Sequence, residues 1–208
     1  MTEETNSKIM QIGDGSIAIG QLILEAANKA GGTAEPSGDA DFYQRLGDIT
    51  FDAQNYEGAL DYYHKAIALK PDHAKAWHGR GVALGHLGRY QEAIANSDKA
   101  IALKPDNAKA WYNRGVDLSH LGRYQEAVAS LDKAIALGQD DADLWYGRGV
   151  VLSHLGRYQE ALANTDKAIA RKPDYAHAWN NKGVALKGLG RSAEAEQAFQ
   201  KAKALEGK

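Results

Sequence analysis

Three histidines, His86, His120 and His154, stand 34 residues apart. Imidazoles are the first side chains to weigh for metal ligation or proton transfer. Arg80, Arg114 and Arg148 recur at the same interval, as do Asp98, Asp132 and Asp166. Nothing else in the chain supplies the partners that catalysis would need. There is no cysteine, which excludes disulfides, thiol nucleophiles and zinc–thiolate sites. No phosphate-cradling glycine loop, H-E-x-x-H pair or glycine-flanked nucleophilic serine occurs, so no enzyme activity, metal or cofactor is expected. What remains is recognition chemistry, for which aromatic anchors and side-chain amides are the suited groups.

The interval of 34 defines the elements that carry these side chains. Blocks 74–107, 108–141 and 142–175 align without a gap, and each reads A-x-x-W-x-x-R-G, then H-L-G-R-Y-Q-E-A, then D-K-A-I-A. Degenerate blocks precede (40–73) and follow (176–208). In block 108–141, Trp111, Gly115, Leu118 and Leu121 mark one face of a first helix. Gly122 supplies a left-handed stop, and a second amphipathic helix carries Tyr124, Ala127, Val128, Leu131, Ala134 and Ile135. Pro71-Asp72, Pro105-Asp106 and Pro173-Asp174 punctuate the boundaries. Proline ends one helix, and the aspartate is expected to cap the next. Gly138-Gln139-Asp140-Asp141 replaces proline at the remaining boundary while keeping acidic caps. A period of this length with this internal pattern is that of stacked helical hairpins, which bury their apolar faces only against neighbours.

Residues 40–208 thereby resemble the tetratricopeptide repeat (TPR) family. The family's large aromatic at position 4, Gly at 8, Ala at 20 and 27, and Pro at 32 correspond to Trp77, Gly81, Ala93, Ala100 and Pro105. The resemblance implies an all-α, right-handed superhelical solenoid of antiparallel helix pairs with five repeats (40–73, 74–107, 108–141, 142–175 and 176–208). It also implies a concave groove lined by first-helix residues, which binds a peptide or helix of a protein partner. The candidate contacts are Lys75, His78, Lys109, Tyr112, Asn113, Val116, Tyr146, Val150, His177, Asn180 and Asn181. The clamp by which many TPR proteins hold acidic chaperone tails is not matched: His78, Val82, Asn113, Asp143 and Gly147 stand at its positions, and only the asparagine fits. Two departures recur. Position 7, usually leucine, is Arg80, Arg114 and Arg148; position 24, usually aromatic, is Ser97, Leu131 and Thr165. Arg and the Asp at position 25 are expected to pair across the two helices of each repeat, as a packing ladder. Neighbouring first helices would hold the three histidines about 10 Å apart, too far to share one metal ion. They read as solvent-edge residues copied with the repeat; the alternative is a pH-sensitive strip that contacts anions.

Bulk properties agree with a binding module. The chain has 208 residues, 44% of them apolar and 25% charged, with a formal net charge of -2, so no electrostatic case for nucleic acid or anionic lipid exists. Neither a signal peptide nor an apolar run of about 20 residues is present, and a cytoplasmic location is expected. In the last block, Ser192, Glu196 and Lys203 replace apolar residues that face the next repeat elsewhere, which predicts a wettable end to the array. Residues 31–39 read as a flexible linker. Residues 1–30 read as a short hairpin or helix folded onto the first repeat, or as a disordered segment. Within them Gln11, Ile12, Gly13, Ile17 and Ile19 resemble the core of RIP homotypic interaction and prokaryotic amyloid-signalling motifs, which implies a signalling adaptor that self-associates. Three roles follow: a non-enzymatic scaffold or adaptor, that signalling adaptor, and an accessory or regulatory subunit of an enzyme complex.

Overall fold

The computed structural model describes residues 39–207, and every regular element among them is an α-helix. The expected N-terminal hairpin and the homotypic segment from Gln11 to Ile19 lie outside the described residues. The fold is an antiparallel helix-pair solenoid, and it divides into two compact units, one ending at Gly88 and one beginning at Arg89.

The described part of the first unit holds α1 (Ala40–Asp52), α2 (Tyr56–Leu69) and α3 (Ala74–His86). Asp39, expected at the end of the linker, is instead the N-cap of α1, its carboxylate accepting from the Phe42 N–H at 2.7 Å. The core is Ala59, Tyr63, Ala66, Ile67, Ala76 and Ala83, with Tyr43, Phe51, Leu60 and Trp77 packed against it. Tyr63 is the keystone. Its ring lies so close to Gly47 on α1 and Gly79 on α3 that a Cβ at either would fall 2.5–2.6 Å from it. Between α1 and α2 the chain turns through Gln54 at φ 60°, the one non-glycine residue with positive φ among the described residues. Glycine holds the same turn in the other repeats. Because a side chain there costs about 1–2 kcal/mol, Gln54→Gly is expected to raise the denaturant midpoint of this unit; an unchanged midpoint would mean the turn is unstrained.

The second unit holds α4 (Tyr90–Leu103), α5 (Ala108–His120), α6 (Tyr124–Ala136), α7 (Ala142–His154), α8 (Tyr158–Arg171), α9 (Ala176–Gly188) and α10 (Ser192–Glu206). One apolar cluster runs through it from Ile94 and Leu118 through Leu131, Leu144, Val151 and Leu152 to Leu186 and Ala198. Small residues at fixed positions allow this contact, with Ala127, Ala161 and Ala185 fully buried. Ser192, Glu196 and Lys203 on α10 are all exposed.

Two expectations need correction. First, the aspartate after each proline does not cap. Asn107, one residue later, accepts from Ala110 N–H at 3.3 Å, and His73 Nδ1 does the same for Ala76 N–H. The proline carbonyls accept the indole N–H groups of Trp77, Trp111 and Trp179 at 2.8–3.0 Å. At the boundary without proline, Asp141 caps α7 and the Asp140 carboxylate takes over the indole of Trp145 at 2.5 Å. Arg171, where the other repeats have leucine, pairs with that carboxylate. Second, the Arg/Asp ladder is shifted by one repeat. Arg114 pairs with Asp98 at 2.6 Å and Arg148 with Asp132 at 2.7 Å, each aspartate lying sixteen residues upstream on the second helix of the preceding hairpin. Within its own repeat each arginine instead donates to Ser130 or Asn164. Position 7 faces backwards along the array, which a within-repeat pairing does not anticipate. Lys182–Asp166 continues the series at 2.6 Å. The aspartates are half exposed, so each pair adds little stability and acts mainly on register.

Candidate functional site

A hollow of about 230 Å³ opens between α5 and α7. Tyr112, Val116, Ser119 and His120 line it from α5, Asp143, Tyr146, Gly147 and Val150 from α7, with Tyr175 at one end and Leu131 beneath. Four of the expected contacts, Tyr112, Val116, Tyr146 and Val150, thus meet in one place. Their spacing along each helix puts them on a single face.

The hollow exists because one side chain is short. In the first unit, Tyr63 reaches across to Gly79 and fills the gap between two first helices. Leu131 is the equivalent residue of its repeat, and it reaches Gly115, where a Cβ would lie 2.8 Å from it, but not Gly147. Opposite it, Gly147 has open space: a Cβ there would meet nothing nearer than Tyr112 Cε2 at 4.0 Å. The leucine at position 24 and the glycine at position 6 of the next repeat therefore leave the volume that an aromatic would occupy. Leu131 departs visibly from the repeat pattern, but its link to Gly147 lies across two repeats.

At the aromatic end, Tyr146 and Tyr175 rings lie 5.0 Å apart at 50°, with His177 6.2–6.3 Å from each. Tyr175 was not anticipated. It occupies the helix-capping position that His73, Asn107 and Asp141 fill elsewhere, and α9 has no side-chain cap as a result. Burial first, then the neighbouring Asp143 carboxylate, push its pKa up. Burial first, then the charges of Asp143 and Asp141, push Tyr112 up to about 12; burial raises Tyr146 as well. The phenols are neutral at any physiological pH. A tyrosine at a capping position was the signal available in the sequence.

The other expected contacts are placed differently. Asn181 is buried, donating to Thr165 Oγ1 at 3.1 Å and accepting from Ser153 at 3.3 Å, so its amide braces the wall between repeats. Lys109, His177 and Asn180 are exposed on the second unit, where Asn113 is half-buried. Lys75 and His78 belong to the first unit, exposed and half-buried respectively. The histidine series stacks: His120 lies on Tyr90 with centroids 4.4 Å apart and planes within 6°, and His154 lies on Tyr124 at 4.6 Å and 2°. In the first unit, His86 stacks on Tyr56 at 4.7 Å. Each ring thus joins one hairpin to the preceding one. Among the described residues no group of three or more histidine or acidic side chains is placed to hold a metal ion, and no helix is long and apolar enough to cross a membrane.

Paired helices with a lined hollow between successive first helices define a helical-repeat module. The tetratricopeptide repeat profiles match residues 45–108, 98–138 and 112–166, and a second such profile matches 140–205. The chain belongs to the tetratricopeptide repeat family, and it is a protein–protein interaction module. An uncharacterized protein of Methanocaldococcus jannaschii is 41% identical over 54 residues, 26% of this chain and 63% of that one, so the match spans less than two thirds of that relative. A crystal structure of MamA is similar at 29% identity with a TM-score of 0.69, covering 77% of this chain and 94% of that one. The structure of YrrB, described as a TPR protein with an unusual peptide-binding site, has a TM-score of 0.70 over 88% of this chain and 91% of that one. At 24% identity that likeness is one of fold.

Proposed function

We propose that this chain is a cytoplasmic scaffold or adaptor that holds a peptide or helix of a protein partner in the hollow between α5 and α7. The observation that carries this reading is the space beside Gly147, lined by rings and valines that no residue of the described chain fills. Rigid aromatic anchors around a desolvated pocket are what concentrates binding energy at an interface. Asn180, exposed next to His177, extends the same row of first-helix residues with an amide suited to backbone groups.

Leu131→Tyr tests the reading with little risk to the fold, since Tyr63 already occupies the equivalent position against Gly47. The added ring is expected to close the hollow, leave the helical circular dichroism unchanged, and weaken peptides selected on the wild-type chain by about thirty-fold or more, equivalent to about 2 kcal/mol. Undiminished binding would move the contact surface elsewhere. The homotypic-assembly role is supported by the residues from Gln11 to Ile19 alone, and fibre formation by a residue 1–30 peptide is its test.

A further inference from the structure

The tyrosine end of the hollow has a definite charge character. Asp143 is exposed beside the Tyr175 hydroxyl, and among the described residues no ion pair forms with it. A carboxylate offers about four lone-pair sites, so most of its accepting capacity faces the opening. Tyr112 and Tyr146, lining the same volume, present π-faces that are negative at their centres. Asp141 adds a second negative charge near Tyr112. The adjacent Tyr175 ring carries a cation on one face, Lys172 Nζ lying 4.8 Å from its centroid. Below the rings, Val150 and Leu131 are apolar and suit the methylene stem of a long side chain.

We infer that the hollow is a receptor for a cationic side chain, a lysine or arginine of the bound peptide. Its stem lies over Val150 and Leu131, its head meets the faces of Tyr112 and Tyr146, and its charge pairs with Asp143. A carboxylate flanked by aromatic faces favours a cation over an anion or an apolar residue through Coulomb and cation–π attraction together, in a site partly removed from water. An acidic peptide would be repelled by the same groups. The inference rests on the peptide-binding reading and specifies its ligand.

A random-peptide display library selected on the full chain tests it, with binding of the enriched peptides measured by titration calorimetry. The expected result is a lysine or arginine common to the enriched peptides. Its replacement by norleucine is expected to lower affinity at least ten-fold on the wild-type chain and less than two-fold on Asp143→Asn. Raising the salt concentration should weaken the wild-type interaction and hardly affect the Asp143→Asn one. Enriched peptides that lose binding to Leu131→Tyr but show no preference for a cation would overturn the cationic receptor and leave the groove reading standing. Peptides indifferent to Leu131→Tyr, or a library that yields none, would overturn both.

Discussion

Tyr63→Ala is expected to cost the first unit about 3–5 kcal/mol, the range for deleting a large buried aromatic. The ring is 2% exposed and wedged against Gly47 on one side and Gly79 on the other. On the two sides where it wedges between first helices the facing residues are glycines, which have no side chain to fill the space. Its hydroxyl also donates to Asp48 at 2.9 Å. Tyr63→Phe keeps the ring and removes only that bond, so its cost should be about 1 kcal/mol. Denaturant midpoints of the two variants separate packing from hydrogen bonding; equal losses would contradict the packing account.

The second large effect has the opposite sign. Asp117→Ala is expected to stabilise the chain by roughly 2–4 kcal/mol at pH 8 and by almost nothing at pH 3. Asp117 is 5% exposed, and no hydrogen bond or ion pair to its carboxyl exists among the described residues. Burial alone pushes its pKa from 3.8 up to about 7. The native state therefore binds the proton more tightly than the unfolded chain does. The penalty is absent below about pH 3, where the group is neutral in both states, and grows as pH rises through the unfolded value towards 7, where the native carboxyl must ionise without a partner. The equivalent residues of neighbouring repeats are Ala83, Val151 and Ala185, all 0–1% exposed, so alanine suits the site. Urea titrations at the two pH values measure the difference. A gain of the same size at both would show that ionisation is not the cause.

Asp117 and Leu131 share an origin. Each is a local departure from its own repeat, and each alters what lies between two hairpins. The hollow follows from Leu131 and Gly147 being sixteen residues apart on elements that face one another, and the shifted ladder spans the same interval between Asp98 and Arg114. Side chains at this separation meet across consecutive hairpins, so comparing positions within one repeat misses the contact. The capping exchange is similar: Asp72 and Asp106 have the right chemistry but stand one residue too early, whereas Asn107 has the backbone placement that lets its oxygen reach Ala110 N–H.

Periodicity alone was enough to establish the helices, their turns and the family, because an apolar face repeating every 34 residues has one economical way to be buried. The family resemblance it carries implied Tyr112, Val116, Tyr146 and Val150 as groove residues, and their spacing along each helix is a local property of the chain. Packing between hairpins decided the rest: that Asn181 is spent inside the wall, that each histidine lies on the preceding repeat's tyrosine, that Tyr175 leaves a capping role for the hollow, and that Asp143 faces its opening. Those outcomes depend on which residues of different repeats come within a few ångströms of one another, and such distances arise only when the helices stack.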